Sequence, residues 1–222
     1  MGTTNVISKF SFASGADATD VGDATVARNR PAGQSSTTHG YASGGESSNV
    51  IDKHSFSSDG NATDVGDLTG DRAWPSGHTA AEYGYTVCGS STNVIEKLSF
   101  SSDGNASDIG NSIVSVGSRA GCSSATYGYS AGGRQDPGAS YTDTIDKFSF
   151  SSDGDAVDVG NIETAKNGAS GTSSTASGYI HAGYYAGENV IQKFSFSSDG
   201  DTSDVGDLLA NTYGTAEPGP QY

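Results

Sequence analysis

Asn93-Val94-Ile95-Glu96-Lys97-Leu98-Ser99-Phe100, followed by Ser101-Ser102-Asp103-Gly104-Asn105-Ala106-Ser107-Asp108-Ile109-Gly110, is the stretch that decides how this chain folds. It is one of five copies. Asn5 to Phe12, Asn49 to Phe56, Asp143 to Phe150 and Asn189 to Phe196 repeat its first half, with starts 44, 44, 50 and 46 residues apart. β-Branched and aromatic residues crowd that half, and in four copies an Asp-Gly hairpin signal follows. A period of this length, rich in short strands, predicts a propeller or stacked β array.

Working outward from the third copy, four strands fit one unit. His78–Tyr83 reads as strand A, Gly84–Gly89 as B, Asn93–Phe100 as C and Ala106–Asn111 as D, with a tight turn at 101–105. Composition agrees with a folded core. Only 33% of the 222 residues are hydrophobic and 32 are glycine, yet all eight phenylalanines fall in the C segment, a placement that disorder would not produce.

The pattern resembles the kelch repeat. Gly40-Tyr41-Ala42-Ser43-Gly44-Gly45 and Gly128-Tyr129-Ser130-Ala131-Gly132-Gly133 match that family's strand ending in a glycine pair, and Arg28 and Arg72 sit in its arginine-bearing loop. The tryptophan usual in the fourth strand is replaced by Val21, Val65, Ile109, Val159 or Val205, and the pair is lost at Cys88-Gly89 and Gly183-Tyr184. The resemblance implies one all-β domain over residues 1–222, a kelch-like β-propeller of about five blades. The chain opens with C and D strands, so one blade is irregular or incomplete. A tail around Tyr213, a partner chain, or four blades plus an added hairpin would each account for the missing A and B. The wording Ser55 to Asp67 also resembles repeats in virion-associated proteins of marine bacteriophages, which implies a virion setting.

The recurring residues have structural explanations. Lys9, Lys53, Lys97, Lys147 and Lys193 recur in C, and Asp20, Asp64, Asp108, Asp158 and Asp204 in D. A tight C–D turn would pair Lys53 with Asp64 across one hairpin. The Asp-Gly turns lack the sixth-position glycine and distal glutamate of an EF-hand loop, so no metal is expected. Tyr41, Tyr85, Tyr129 and Tyr179 are expected to pack between blades. Cys88 and Cys122 form no zinc or disulfide framework, and the four histidines no nucleophile–base or metal-ligand spacing. No catalytic residue, cofactor or enzymatic activity is expected.

The repeats differ in their D–A and B–C loops. Beyond the five C-strand lysines, every cation maps there: Arg28, Arg30, Arg72, Arg119, Arg134 and Lys166. Trp74, Tyr141, Tyr184 and Tyr185 lie in the same loops. Loops on a rigid scaffold carry binding residues, and arginine and aromatics are the side chains enriched at hot spots. These ten residues form the candidate binding face. The net charge of −15 excludes nucleic acid as a partner. No apolar run is long enough for a membrane span, and no signal peptide is recognisable. The expectation is a non-enzymatic structural or binding module, a virion component or extracellular protein and otherwise cytoplasmic. It would contact other virion proteins, a host-surface protein or glycan, or a second copy. A free carbohydrate-binding lectin is the alternative.

Overall fold

The structure, a computed structural model, describes residues 3–135, 140–183 and 189–210. The described residues form twenty β-strands and no helix. Among the described residues β1 (Thr4–Lys9) pairs only with β2 (Thr19–Arg28). Four antiparallel four-stranded sheets follow. The first holds β3 (Ala32–Ser35), β4 (His39–Ser43), β5 (Val50–Ser55) and β6 (Thr63–Asp67). The second holds β7 (Ser76–Thr79), β8 (Tyr83–Val87), β9 (Val94–Ser99) and β10 (Ser107–Asn111). The third holds β11 (Ala120–Ser123), β12 (Tyr127–Ala131), β15 (Thr144–Ser149) and β16 (Val157–Asn161), with β13 (Arg134–Gln135) and β14 (Ser140–Tyr141) a small hairpin inserted between β12 and β15. The last holds β17 (Ser170–Ser173), β18 (Ser177–His181), β19 (Val190–Ser195) and β20 (Ser203–Asp207).

Strand A is earlier and shorter than its expected span. Ser76–Thr79 ends where the Ala80 amide donates to the Tyr83 carbonyl at 2.9 Å, and Tyr83 already opens the next strand. The glycine pair is also displaced by one residue from its expected place in the last unit. Gly44-Gly45 and Gly132-Gly133 have positive φ, and the same conformation falls on Cys88-Gly89 and on Ala182-Gly183, not on Gly183-Tyr184.

The first strands of consecutive sheets lie side by side, β3 against β7, β7 against β11 and β11 against β17. The core therefore sits between sheets. Tyr41, Ile51 and Leu68 of one unit pack with Leu98 and Ala106 of the next. Tyr85, Val87 and Ile95 pack with Phe148 and Ala156, and Tyr129 and Ile145 with Ile180 and Phe194. Three of the four tyrosines expected to pack between units do so. Tyr41 stacks on Phe100, Tyr85 on Phe150 and Tyr129 on Phe196, each with ring centroids 4.8 Å apart.

The outer half of each unit corrects the reading of the lysines and the Asp-Gly turns. The β9–β10 connection is the seven-residue stretch 100–106, not a tight turn. In the ladder Lys53 faces Thr63, and Asp64 faces Asp52. The Asp64 carboxylate turns back to accept the Gly66 amide at 3.1 Å. The lysine instead reaches forward. Lys53 Nζ lies 2.5 Å from Asp103 and Lys97 Nζ 2.5 Å from Asp153, while Lys9 pairs with Asp59 and Lys147 with Asp199. Each ion pair thus joins one unit to the next unit's Asp-Gly loop.

The loop is fastened by its backbone as well. The Ala106 amide donates to the Asp67 carbonyl at 2.9 Å, and the Asp67 amide to Asn105 Oδ1 at 3.1 Å. Gly66 has φ +152°, and a Cβ there would sit 2.3 Å from the Gly104 carbonyl oxygen. The Asp-Val-Gly and Asp-Gly-Asn motifs are therefore two halves of one inter-unit latch. It recurs at Gly22–Gly60, Gly110–Gly154 and Gly160–Gly200.

Candidate binding surface

Four of the ten expected surface residues are buried. Arg28, Arg72, Arg119 and Lys166 are 6%, 8%, 3% and 1% exposed, which takes them off any contact face. For the three arginines the reason lies in the third strand of each sheet. The residue before its lysine is Asp52, Glu96, Asp146 or Gln192, and all four are buried. A buried carboxylate needs a cation, and the segment leading into the sheet supplies it. Arg28 pairs with Asp52, Arg72 Nε lies 3.0 Å from Glu96, and Arg119 Nη1 lies 2.7 Å from Asp146.

Arg28 and Arg119 show that space, not sequence position, defines this role. Arg28 stands four residues before its sheet's first strand and Arg119 one residue before. Even so, Arg28 donates to the carbonyls of Ala42, Gly44 and Val50, and Arg119 to those of Ser130, Gly132 and Thr144, the same three places in the repeat. Each guanidinium ties the end of the second strand to the start of the third. The acid also caps the incoming loop. Asp52 accepts the Thr25 amide, Glu96 that of Thr69, and Asp146 that of Ile113. In the last unit Gln192 Oε1 accepts the Glu163 amide at 2.9 Å, so the amide keeps the capping role without the charge.

What remains on the loop face is narrower than the sequence suggested. Arg30 is exposed, Trp74 is half-buried, and the guanidinium lies 4.0 Å from the indole centroid, with Glu46 3.6 Å away. Arg30, Trp74, Ser118 and Gly168 occupy one repeat position, and all are left-handed, with φ of 57°, 65°, 58° and 63°. These positions are linked in series. The Ser118 amide donates to the Trp74 carbonyl and the Gly168 amide to the Ser118 carbonyl, each at 2.9 Å. A non-glycine residue held left-handed costs about 1–2 kcal/mol, so Arg30 and Trp74 are displayed against a local backbone preference. Arg134 and Tyr141 are half-buried partners in the β13–β14 hairpin, and Arg134 is bridged to Gly117 of the preceding loop. Tyr184 and Tyr185 lie outside the described residues.

Sequence reasoning missed one polar contact, since 52 residues separate its members. His78 Nε2 lies 2.9 Å from Ser130 Oγ, and Nδ1 lies 3.1 Å from the Cys122 carbonyl. A carbonyl only accepts, so Nδ1 carries the proton and the serine hydroxyl donates to Nε2. This is the geometry of a nucleophile–base pair, yet both residues are buried and the imidazole is oriented by a backbone carbonyl. Desolvation lowers its pKa from 6.5 to about 4. The pair acts as a neutral fastening between β7 of one sheet and β12 of the next. Cys88 and Cys122 are buried and not joined in a disulfide, and among the described residues no three His, Cys, Asp or Glu side chains cluster for a metal. No protein-family model matches the chain, and no curated protein matches it in sequence.

Proposed function

We propose that the chain is a non-enzymatic binding or structural module on a kelch-like propeller of about five units. Its loop face would meet a neighbouring protein or a host surface, and the phage-like wording of the repeats favours a virion setting. The adjacency of successive first strands and the arginine seated on each glycine-ended strand support the propeller reading. The observation that carries the binding reading is the contrast among the loop cations. Arg28, Arg72, Arg119 and Lys166 are buried within the scaffold, whereas Arg30 is displayed on Trp74 in a strained backbone. Fork-shaped guanidinium and indole together suit an acidic or sugar-bearing partner. The lectin alternative draws on the same indole.

The test is the Arg30→Ala/Trp74→Ala double variant beside the parent chain. Purified virions or host cells, and separately a glycan array, serve as probes. The variant should lose capture while its unfolding shifts by less than about 0.5 kcal/mol, as loop-tip changes usually do. Capture of virions or cells without array binding supports a protein contact, and binding of one defined sugar class supports the lectin. Unchanged capture by the variant removes this face from the argument.

A further inference from the structure

In the four complete sheets the third strand has a neighbour on both edges, while β1, its counterpart in the first unit, pairs only with β2 among the described residues. What belongs on that bare edge is written four times in the chain. The strand found there carries Gly-Tyr, as Gly40-Tyr41, Gly84-Tyr85, Gly128-Tyr129 and Gly178-Tyr179. The glycine faces His54, Leu98, Phe148 or Phe194, and the tyrosine faces Lys53, Lys97, Lys147 or Lys193. The glycine is needed because the opposite side chain lies over it. A Cβ at Gly40, Gly128 or Gly178 would come within 2.3–2.4 Å of the imidazole or phenyl ring it faces. Lys9 and Phe10 hold the matching places beside β1.

The surfaces such a strand would cover are open. Phe10 is 61% exposed, whereas its counterparts Phe148 and Phe194 are 2% and 3% exposed. Phe56 is 53% exposed and Phe12 98%. Their counterparts Phe100, Phe150 and Phe196 each lie under a tyrosine of the preceding sheet. At the far end Tyr179 is half-buried where Tyr85 and Tyr129 are buried, and a Cβ at Gly206 would meet nothing within 4 Å.

We propose that the edge of β1 left open among the described residues is a docking site for a β-hairpin whose second strand carries Gly-Tyr, contributed from outside residues 1–222. The strand would add antiparallel to β1, set its glycine over Phe10, and stack its tyrosine on Phe56. Residues 211–222 offer no Gly-Tyr and contain Pro218 and Pro220, which cannot donate to a ladder. A second copy of the chain has its own Gly-Tyr hairpins built into its sheets and would have to open one to lend it. The inference concerns a surface apart from the loop face and does not depend on what that face binds.

The probe is a labelled peptide of residues 32–43, the β3–β4 hairpin of this chain, added to the full chain. Saturable binding is expected, with backbone amide shifts centred on Val6 to Lys9. The Gly40→Val peptide should bind about tenfold more weakly or worse, because its side chain would collide with the Phe10 ring. Three results would overturn the proposal: no binding, equal binding of the two peptides, or shifts centred away from β1. The first covers an edge already closed by residues 211–222 or by a second copy.

Discussion

Gly66 and Gly104 face each other across two units, and only one of them has room for a methyl group. Both have the same φ, +152° and +153°. A Cβ on Gly104 would meet nothing within 4 Å, whereas one on Gly66 would lie 2.3 Å from the Gly104 carbonyl oxygen and 2.8 Å from the Asn105 amide nitrogen. Gly66→Ala and Gly104→Ala therefore share the conformational strain, about 1–3 kcal/mol, and differ in the collision. Relieving it means lifting the 100–106 loop off β6. That breaks the Ala106–Asp67 and Asp67–Asn105 hydrogen bonds and parts Lys53 from Asp103. Two hydrogen bonds at about 0.5–1.5 kcal/mol each, and a half-exposed ion pair worth at most about 1 kcal/mol, place Gly66→Ala about 2–3 kcal/mol below Gly104→Ala. Urea titration followed by far-ultraviolet circular dichroism and by tyrosine fluorescence measures the gap. Equal midpoints for the two variants would show that the glycine contact holds nothing together.

Three further outcomes follow from the buried groups and loops. Glu96→Ala should destabilise by about 3–5 kcal/mol in denaturant unfolding, because it strands the buried Arg72; Glu96→Gln should lose less, since Gln192 fills that place in the last unit. Burial lowers the His78 pKa to about 4 from 6.5, so the unfolded chain binds more protons between those values. The stability it carries is complete above pH 6.5 and falls as pH drops toward 4, by about 3 kcal/mol. His78→Gln should flatten that part of a pH–stability profile, and an unchanged profile would refute the linkage. Finally, the melting temperature should be the same in chelator and in millimolar calcium. A rise of several degrees would mark the Asp-Gly loops as metal sites.

Sequence alone determined what is local or periodic. Five copies of one strand-rich segment, phenylalanines confined to them, and a glycine-led tyrosine in each of four units are enough to predict repeated antiparallel sheets with aromatic contacts between units. Alternation and turn chemistry act over a few residues, and repetition multiplies the signal. Tertiary structure decided which partner each repeated group meets. The Lys53 pairing shows why. Within one hairpin Asp64 stands near enough to look like its partner, but the seven-residue connection and the bulge at Val65 shift the register, and Asp103 of the next unit arrives instead. The loop arginines were misplaced for a related reason. Charge and loop position suggest exposure, yet Asp52, Glu96 and Asp146 are buried by the stacking of sheets and draw those guanidiniums inward. A repeat written in sequence fixes the unit, and only the contact between successive units reveals that its lysine, glycine and aspartate serve the neighbour rather than their own hairpin.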